Sequence, residues 1–329
     1  MTDRSERLML LDTASLYFRA YFGVPDSVTA PDGTPVNAVR GLLDFIARLT
    51  TTHEPTHLVC CWDNDWRPQW RVDLIPSYKA HRVVAQVDQG VDIEVTPDPL
   101  AVQVPLIEEV LTALGIAVMG ADGYEADDVI GTLVERATGP VDVVTGDRDL
   151  FQLVNDERSV RVLYTARGVG NLEILDDAAV VTKYGVLPEQ YADFAVLRGD
   201  ASDGLPGVKG IGAKTAAGLL HQYGDLSGIL AAAQDPSSSM GGSVRAALQA
   251  SADYLLVAPT VVAVARDINL PDADTEIKSL PPKAVAGVQE LASRWGLTSP
   301  VGRVLAAFGS SQGGEESPAA DAPTSSGSA

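Results

Sequence analysis

The chain has 329 residues, more than one average domain holds and enough for a large α/β domain with a smaller one appended. Hydrophobic residues make up 46%, enough for a sizeable core, and no apolar run reaches the roughly 18 residues of a membrane span. The net charge of −20 argues against a nucleic-acid partner, unless acids are gathered for metal binding, which inverts the local charge, while basic residues cluster elsewhere.

The N-terminus (MTDRSERLMLLD) carries charges straight into an apolar run, without the apolar stretch and cleavage site of a signal peptide. A cytoplasmic monomer without a membrane partner is expected. Three short apolar runs close on an aspartate: RLMLLD at Asp12, HLVCCWD at Asp63 and VDVVTGD at Asp147. Each reads as a buried parallel strand, and VRVLY at 160–164 as a fourth. Helical periodicity lies between them, at 38–50, 105–115 and 126–137. The alternation predicts an α/β fold, a mostly parallel central sheet flanked by helices. Ligands of open parallel sheets bind outside the carboxyl ends of the strands, so topology brings Asp12, Asp63 and Asp147 to one edge. Cys60 and Cys61 are adjacent, point to opposite faces of one strand and read as buried thiols.

From Arg67 to about Asp98 no strand pattern is sustained, and the stretch is too long for an ordinary connection. It reads as an excursion over that edge, opening WRPQWRVDLIPSYKAHR, with Trp66, Trp70 and Tyr78 interleaved with Arg67, Arg71, Lys79 and Arg82. Aromatic stacking with phosphate neutralisation is how single strands are held without sequence preference, which makes Arg67 and Arg71 candidate DNA contacts. An amphipathic surface helix with snorkelling arginines is the competing reading.

After Pro188 the chain reads as helical, with a helix from about Ala213 to Tyr223. Before that helix, GLPGVKGIGAKTA places Gly207, Gly210 and Gly212 where backbone amides can approach a phosphate at a helix N-terminus, with Lys209 and Lys214 adding charge. This resembles a helix-hairpin-helix element within about 188–224, which grips backbone rather than reading bases. A dinucleotide-binding glycine loop would follow the first strand of the sheet, and this one lies between helices. The expected organisation is an α/β domain over 1–185 with the excursion at about 67–98, a helical region over 186–309, and a disordered tail over 310–329, where apolar residues are almost absent.

Nine acids form the chemical constellation: Asp12, Asp63, Glu125, Asp127 and Asp128 in YEADD, Asp147 and Asp149 in GDRD, and Asp200 and Asp203 in GDASDG. Singly, each reads equally well as a cap or turn residue. Brought together without metal they would repel, and divalent cations remove that cost. An all-oxygen set suits Mg²⁺ or Mn²⁺ better than zinc. Two such ions roughly 4 Å apart activate water and stabilise a leaving oxygen in phosphodiester hydrolysis.

In order and spacing, LLDTASLYFRAYFG, CWDNDWRPQWR, IPSYKAHR, GYEADDVIGTL, VTGDRDLFQLV and LRGDASDGLPGVKGIGAKTA together resemble the 5′-nuclease family of flap endonucleases and bacterial DNA polymerase I N-terminal domains. The resemblance runs from about Leu8 to Phe308, and all nine acidic positions are filled. It implies a two-metal site, with Asp12, Asp63, Glu125, Asp127 and Asp128 on one cluster and Asp147, Asp149, Asp200 and Asp203 on the other. It implies Lys79 and Arg82 on the scissile phosphate from a helical arch, Arg19 as a further phosphate contact, and Tyr78 or Tyr17 stacked on an unpaired base. It further implies a hairpin at Gly207–Gly212 on duplex DNA with a bound K⁺, and as substrate DNA with a 5′ flap, nick or free 5′ end, RNA primers included. Two departures stand out: no polymerase domain follows, and the residues after Arg82 are poorer in basic groups than the family's arch. A non-catalytic branched-DNA-binding protein and a PIN-like ribonuclease are the alternative functions.

Overall fold

The apolar runs that close on aspartates become the inner strands of a six-stranded sheet in a computed structural model that describes residues 6–85, 87 and 91–311. In chain order the strands are β1 (Leu8–Asp12), β2 (His57–Cys61), a separate ribbon of β3 (Val83–Ala85) and β4 (Ile93–Glu94), then β5 (Ala117–Met119), β6 (Val141–Thr145), β7 (Val160–Tyr164) and β8 (Glu173–Leu175). The sheet order is β5-β2-β1-β6-β7-β8. β1 pairs in parallel with both β2 and β6, and only β8 runs antiparallel, against β7. β1 is therefore central and buried on both faces, as its unbroken apolar run requires.

Around the sheet run α1 (Thr13–Gly23), α2 (Asn37–His53), α3 (Gln69–Leu74), α4 (Asp98–Ala101), α5 (Val104–Ala113), α6 (Ala126–Arg136) and α7 (Asp177–Tyr184). Period-two alternation in β1 divides the core. Leu10 joins the layer that holds Val129 and Ile130 of α6, while Met9 and Leu11 join the layer that holds Leu42 and Leu43 of α2. Cys60 and Cys61 follow the same rule, lying in opposite layers as free buried thiols. α2 has no side chain of its own to cap its start, and Gln103, beyond the far end of the excursion, serves instead. Its Oε1 accepts from the N–H groups of Ala38 at 2.8 Å and Val39 at 3.4 Å.

The helical region comprises α8 (Tyr191–Arg198), α9 (Ala213–Tyr223), α10 (Leu226–Gln234), α11 (Gly242–Ala250), α12 (Ala252–Val262), α13 (Pro282–Arg294) and α14 (Thr298–Ser311). It does not stay together in space. The chain returns to the sheet where Ile277 donates to Thr56 and Leu58 to Thr275, each at 2.8 Å, and Val288, Val301, Val304 and Phe308 join the α2 layer. A contiguous helical region ending at 309 is thus corrected: α13 and α14 complete the α/β core, because α2 and α5 leave an apolar face to be covered.

The excursion departs from a helical arch as well. Among the described residues it holds the six-residue α3, a 3₁₀ turn at Ala80–Arg82, and the β3–β4 ribbon. Residues 86 and 88–90 of the excursion, and the expected tail from 312 onward, lie outside the described residues. No helix among the described residues is long and apolar enough to cross a membrane.

Candidate active site

Parallel pairing delivers the acids to the carboxyl edge. Asp12 ends β1 and caps α1, accepting from Ser15 N–H at 3.2 Å and from the Thr145 hydroxyl at 2.6 Å. Asp63 and Asp147 lie two residues beyond the ends of β2 and β6. Asp63 accepts from Ala126 N–H at 2.7 Å, which brings the start of α6 to the same edge and with it Glu125 and Asp127. Asp147 accepts from Asp149 N–H at 3.0 Å and donates its own N–H to Thr145 Oγ1 at 2.8 Å. Asp12, Asp63, Glu125, Asp127 and Asp147 line one cavity of about 290 Å³, together with Lys79, Arg82, Tyr17, Trp66 and Glu94.

The excursion closes this cavity. Lys79 adopts a left-handed backbone, with φ at 47°, and its N–H donates to Asp203 O at 3.0 Å. Its ammonium pairs with Glu125 Oε1, while Glu125 Oε2 accepts from the Tyr78 hydroxyl at 2.6 Å and from Arg71 at 2.7 Å. Arg82 reaches Asp203 at 3.2 Å and Ser202 O at 2.8 Å. Ser77 donates to Gly204 O at 2.7 Å. A Cβ at Gly204 would sit 2.0 Å from Ser77 O, so only glycine, here at φ +70°, lets the two segments dock.

Burial together with mutual repulsion governs the electrostatics. Desolvation, with Asp63 and Asp147 adding repulsion against the Thr145 hydrogen bond, pushes Asp12 up to about 7. Asp127 is held well above the carboxylate range by burial, then by Asp147 and Asp12. Asp149 is raised in the same way by burial, Asp147 and Asp203, and Asp63 and Asp203 are raised mainly by burial. Burial opposes the charge on Lys79, yet Glu125 lifts it well above the usual ammonium value. Among the described residues no three acids converge as a ready-made cation cage, and the counter-charge at the cavity is that of Lys79 and Arg82.

Four of the nine acids lie outside the cavity lining. Asp149 and Asp203 remain its electrostatic neighbours through Asp147. Asp200 is occupied by Ser202 N–H at 2.9 Å, Arg198 at 3.0 Å and Arg148 at 3.3 Å. Asp128, fully buried and outside the cavity lining, serves Arg71 and the backbone N–H groups of Glu125 and Ala265, which makes it a counter-ion to Arg71 in this arrangement.

Arg67 and Arg71 are corrected, being buried rather than presented to DNA. Arg67 staples the Pro76 and Tyr78 carbonyls and Asp92. Tyr78 is buried with its hydroxyl on Glu125, so it offers no face to a base, whereas Tyr17 keeps a place in the cavity wall. Arg19 lies against Gly146, its buried Nε without a partner among the described residues. Sequence reasoning missed Ser15, whose hydroxyl accepts from Gly146 N–H at 2.9 Å, as well as Thr145 and Glu94. Ser15 was visible as the third residue after a capping aspartate, but the two-residue β4 gave Glu94 no signal.

The glycine-rich loop projects from between α8 and α9. Val208 and Ile211 are buried and anchor it, while Lys209, Gly210, Gly212 and Lys214 are exposed. Gly207, at φ +66°, lets the loop close on the Arg198–Gly199 backbone, which a Cβ there would meet at 2.5 Å.

Residues 7–185 match the family model described as 5′-3′ exonuclease, N-terminal resolvase-like domain, and residues 186–284 match 5′-3′ exonuclease, C-terminal SAM fold. A 5′-3′ exonuclease of Streptomyces coelicolor is 63% identical over 299 residues, 90% of this chain and 98% of that protein. One from Mycobacterium tuberculosis is 48% identical over 312 residues, 92% and 97% of the two chains. The DNA polymerase I of M. tuberculosis is 39% identical over 278 residues, 83% of this chain but 29% of the polymerase. Among solved structures, a bacteriophage T5 flap endonuclease complexed with DNA and metal ions superposes with a TM-score of 0.60 at 16% identity, covering 92% of this chain and 100% of that one. The catalytic core of Rad2 with DNA substrate gives 0.58 at 16%, covering 92% and 93%; at such identity the likeness is one of fold. With two domain models matched in succession over residues 7–284 and near-full-length relatives at high identity, the chain belongs to the 5′-3′ exonuclease family and is a nuclease.

Proposed function

We propose that the protein is a structure-specific 5′ nuclease that hydrolyses phosphodiester bonds near the 5′ end of DNA, at flaps, nicks and RNA primers. The observation that carries the reading is a cavity lined by six carboxylates, Asp12, Asp63, Glu94, Glu125, Asp127 and Asp147, and closed by Lys79 and Arg82. The donor set fits divalent cations: Asp12 and Asp127 are raised by burial and then by neighbouring acids, the cluster holds less counter-charge than it needs, and its donors are all oxygen, which favours Mg²⁺ or Mn²⁺. Asp12, Asp63, Glu125, Asp127 and Asp147 would hold the ions, with Asp149 and Asp203 beside them. When bound, such ions supply an activated water and stabilise the leaving oxygen.

The chain's own groups do the rest. Lys79 and Arg82, released from Glu125 and Asp203, bind the scissile phosphate, and the unpartnered Nε of Arg19 adds a donor. Tyr17 stacks on an unpaired base. Lys209, Lys214 and the exposed amides around Gly210 and Gly212 hold the duplex backbone, which places the free end at the cavity.

Product mapping tests this on a 5′-labelled flap, a nicked duplex and a blunt duplex, each with Mg²⁺, Mn²⁺ or EDTA. Short 5′ products from the flap with either metal and none in EDTA are expected. No cleavage with either metal overturns the reading, and a preference for RNA over DNA would move it to a ribonuclease.

A further inference from the structure

We infer that Arg71 is a positioning residue for catalysis, holding the Glu125 carboxylate in the orientation that a cation needs and tying it to α12. The inference rests on the metal-site reading above. Arg71 is 2% exposed and does not line the cavity, so direct action on DNA is excluded. Its Nη1 donates to Glu125 Oε2 and to Asp128 Oδ2, and its Nη2 to Asp128 Oδ1, all at 2.7 Å. The remaining donors go to carbonyls at the end of α12, Nε to Val261 O at 3.0 Å and Nη2 to Ala263 O at 3.5 Å. One planar group thus joins α3, the start of α6 and the end of α12.

The two oxygens of Glu125 are used differently. Oε2 accepts from both buried donors, Arg71 and Tyr78, while Oε1 accepts from Lys79, itself part of the cavity lining. Oε2 is the anchored oxygen that sets the carboxylate plane, and Oε1 would be left to meet a cation. A guanidinium supplies the fork that satisfies Glu125 and Asp128 at once, and a lysine at this site would keep the charge without the geometry. Partners that orient a metal ligand typically matter about 10–100-fold in metal affinity.

The test measures Mn²⁺ binding by calorimetry on the full chain without DNA, with circular dichroism to verify folding. The proteins are wild type, Arg71→Lys, Tyr78→Phe, Glu125→Gln and the Arg71→Lys/Glu125→Gln double variant. Arg71→Lys should weaken binding roughly tenfold and Tyr78→Phe severalfold, while Arg71→Lys should cost nothing further once Glu125 is Gln. On a flap substrate kcat should fall with KM for DNA unchanged. Unaltered Mn²⁺ affinity in folded Arg71→Lys, or an equal loss with and without Glu125, overturns the inference, since a merely structural role predicts one or the other. If Arg71→Lys does not fold, unaltered affinity in Tyr78→Phe overturns it instead. Absence of Mn²⁺ binding in the wild type overturns the metal-site reading itself and is recognised by that.

Discussion

Lys79 and Glu125 form an ion pair across the mouth of the acid cavity, the ammonium against one carboxylate oxygen while Tyr78 holds the other at 2.6 Å. The cation of the excursion therefore rests on an acid of the cavity, and on the function proposed above the two charges separate when phosphate enters.

Lys79→Met and Asp63→Ala should each reduce turnover on the flap substrate by about 10²–10³, the usual cost of removing one electrostatic contact from a transition state. They should differ in the metal-free protein. The lysine variant removes one of the two cations paired with Glu125, leaving Arg71, and should melt lower than wild type, whereas the aspartate variant relieves repulsion. Wild-type turnover in Asp63→Ala would remove that residue from the site.

Stability should depend on pH with a sign set by the raised acids. Asp12 takes up its proton at about 7 in the folded chain against 3.8 ordinarily, so protonation favours the folded state. That stabilisation is complete below 3.8 and is lost progressively as pH rises through 7. In EDTA the melting temperature should fall between about pH 5 and pH 8, and Mg²⁺ should restore more at the upper end. A metal-free melting temperature that rises over this interval would contradict the electrostatic account.

Thr145 donates a 2.6 Å hydrogen bond to Asp12 and thereby lowers its proton affinity. Above pH 7, where Asp12 is ionised, Thr145→Val should cost about 1.5–3 kcal/mol, the worth of a hydrogen bond to a charged group. It should also move the acid limb of the cleavage–pH profile upward. A downward movement would show that Asp12 is not the group being read.

Lys209 and Lys214 are exposed beside the glycine-rich loop. Replacing both with Ala should weaken duplex binding evenly across sequences and reduce the salt slope by roughly 0.9 for each phosphate no longer neutralised. Turnover at saturating DNA should persist. A salt slope identical to wild type would remove the loop from the interface.

The sheet edge was legible because a strand that is apolar throughout and ends in an acid leaves little choice: parallel pairing put Asp12 beside the loops bearing Asp63 and Asp147. Arg71 was not, because interleaved aromatic and basic residues have the same composition whether they cover DNA or fill a core. The cue lay elsewhere, in Glu125 and Asp128 three residues apart at a helix start, a buried pair of acids that needs an internal cation. β5 and β8, three residues each, were too short to carry a period. The return of α14 to α2 was hidden because an amphipathic face does not name its partner.

The bond between Thr145 and Asp12 spans 133 residues of chain, and that between Ala126 and Asp63 spans 63. A site assembled from such distant segments cannot form from local structure, so its completion requires closure of long loops. Nascent or partly unfolded chains would therefore carry the acids without the cavity. Cleavage then is a property of the folded chain and of no local segment.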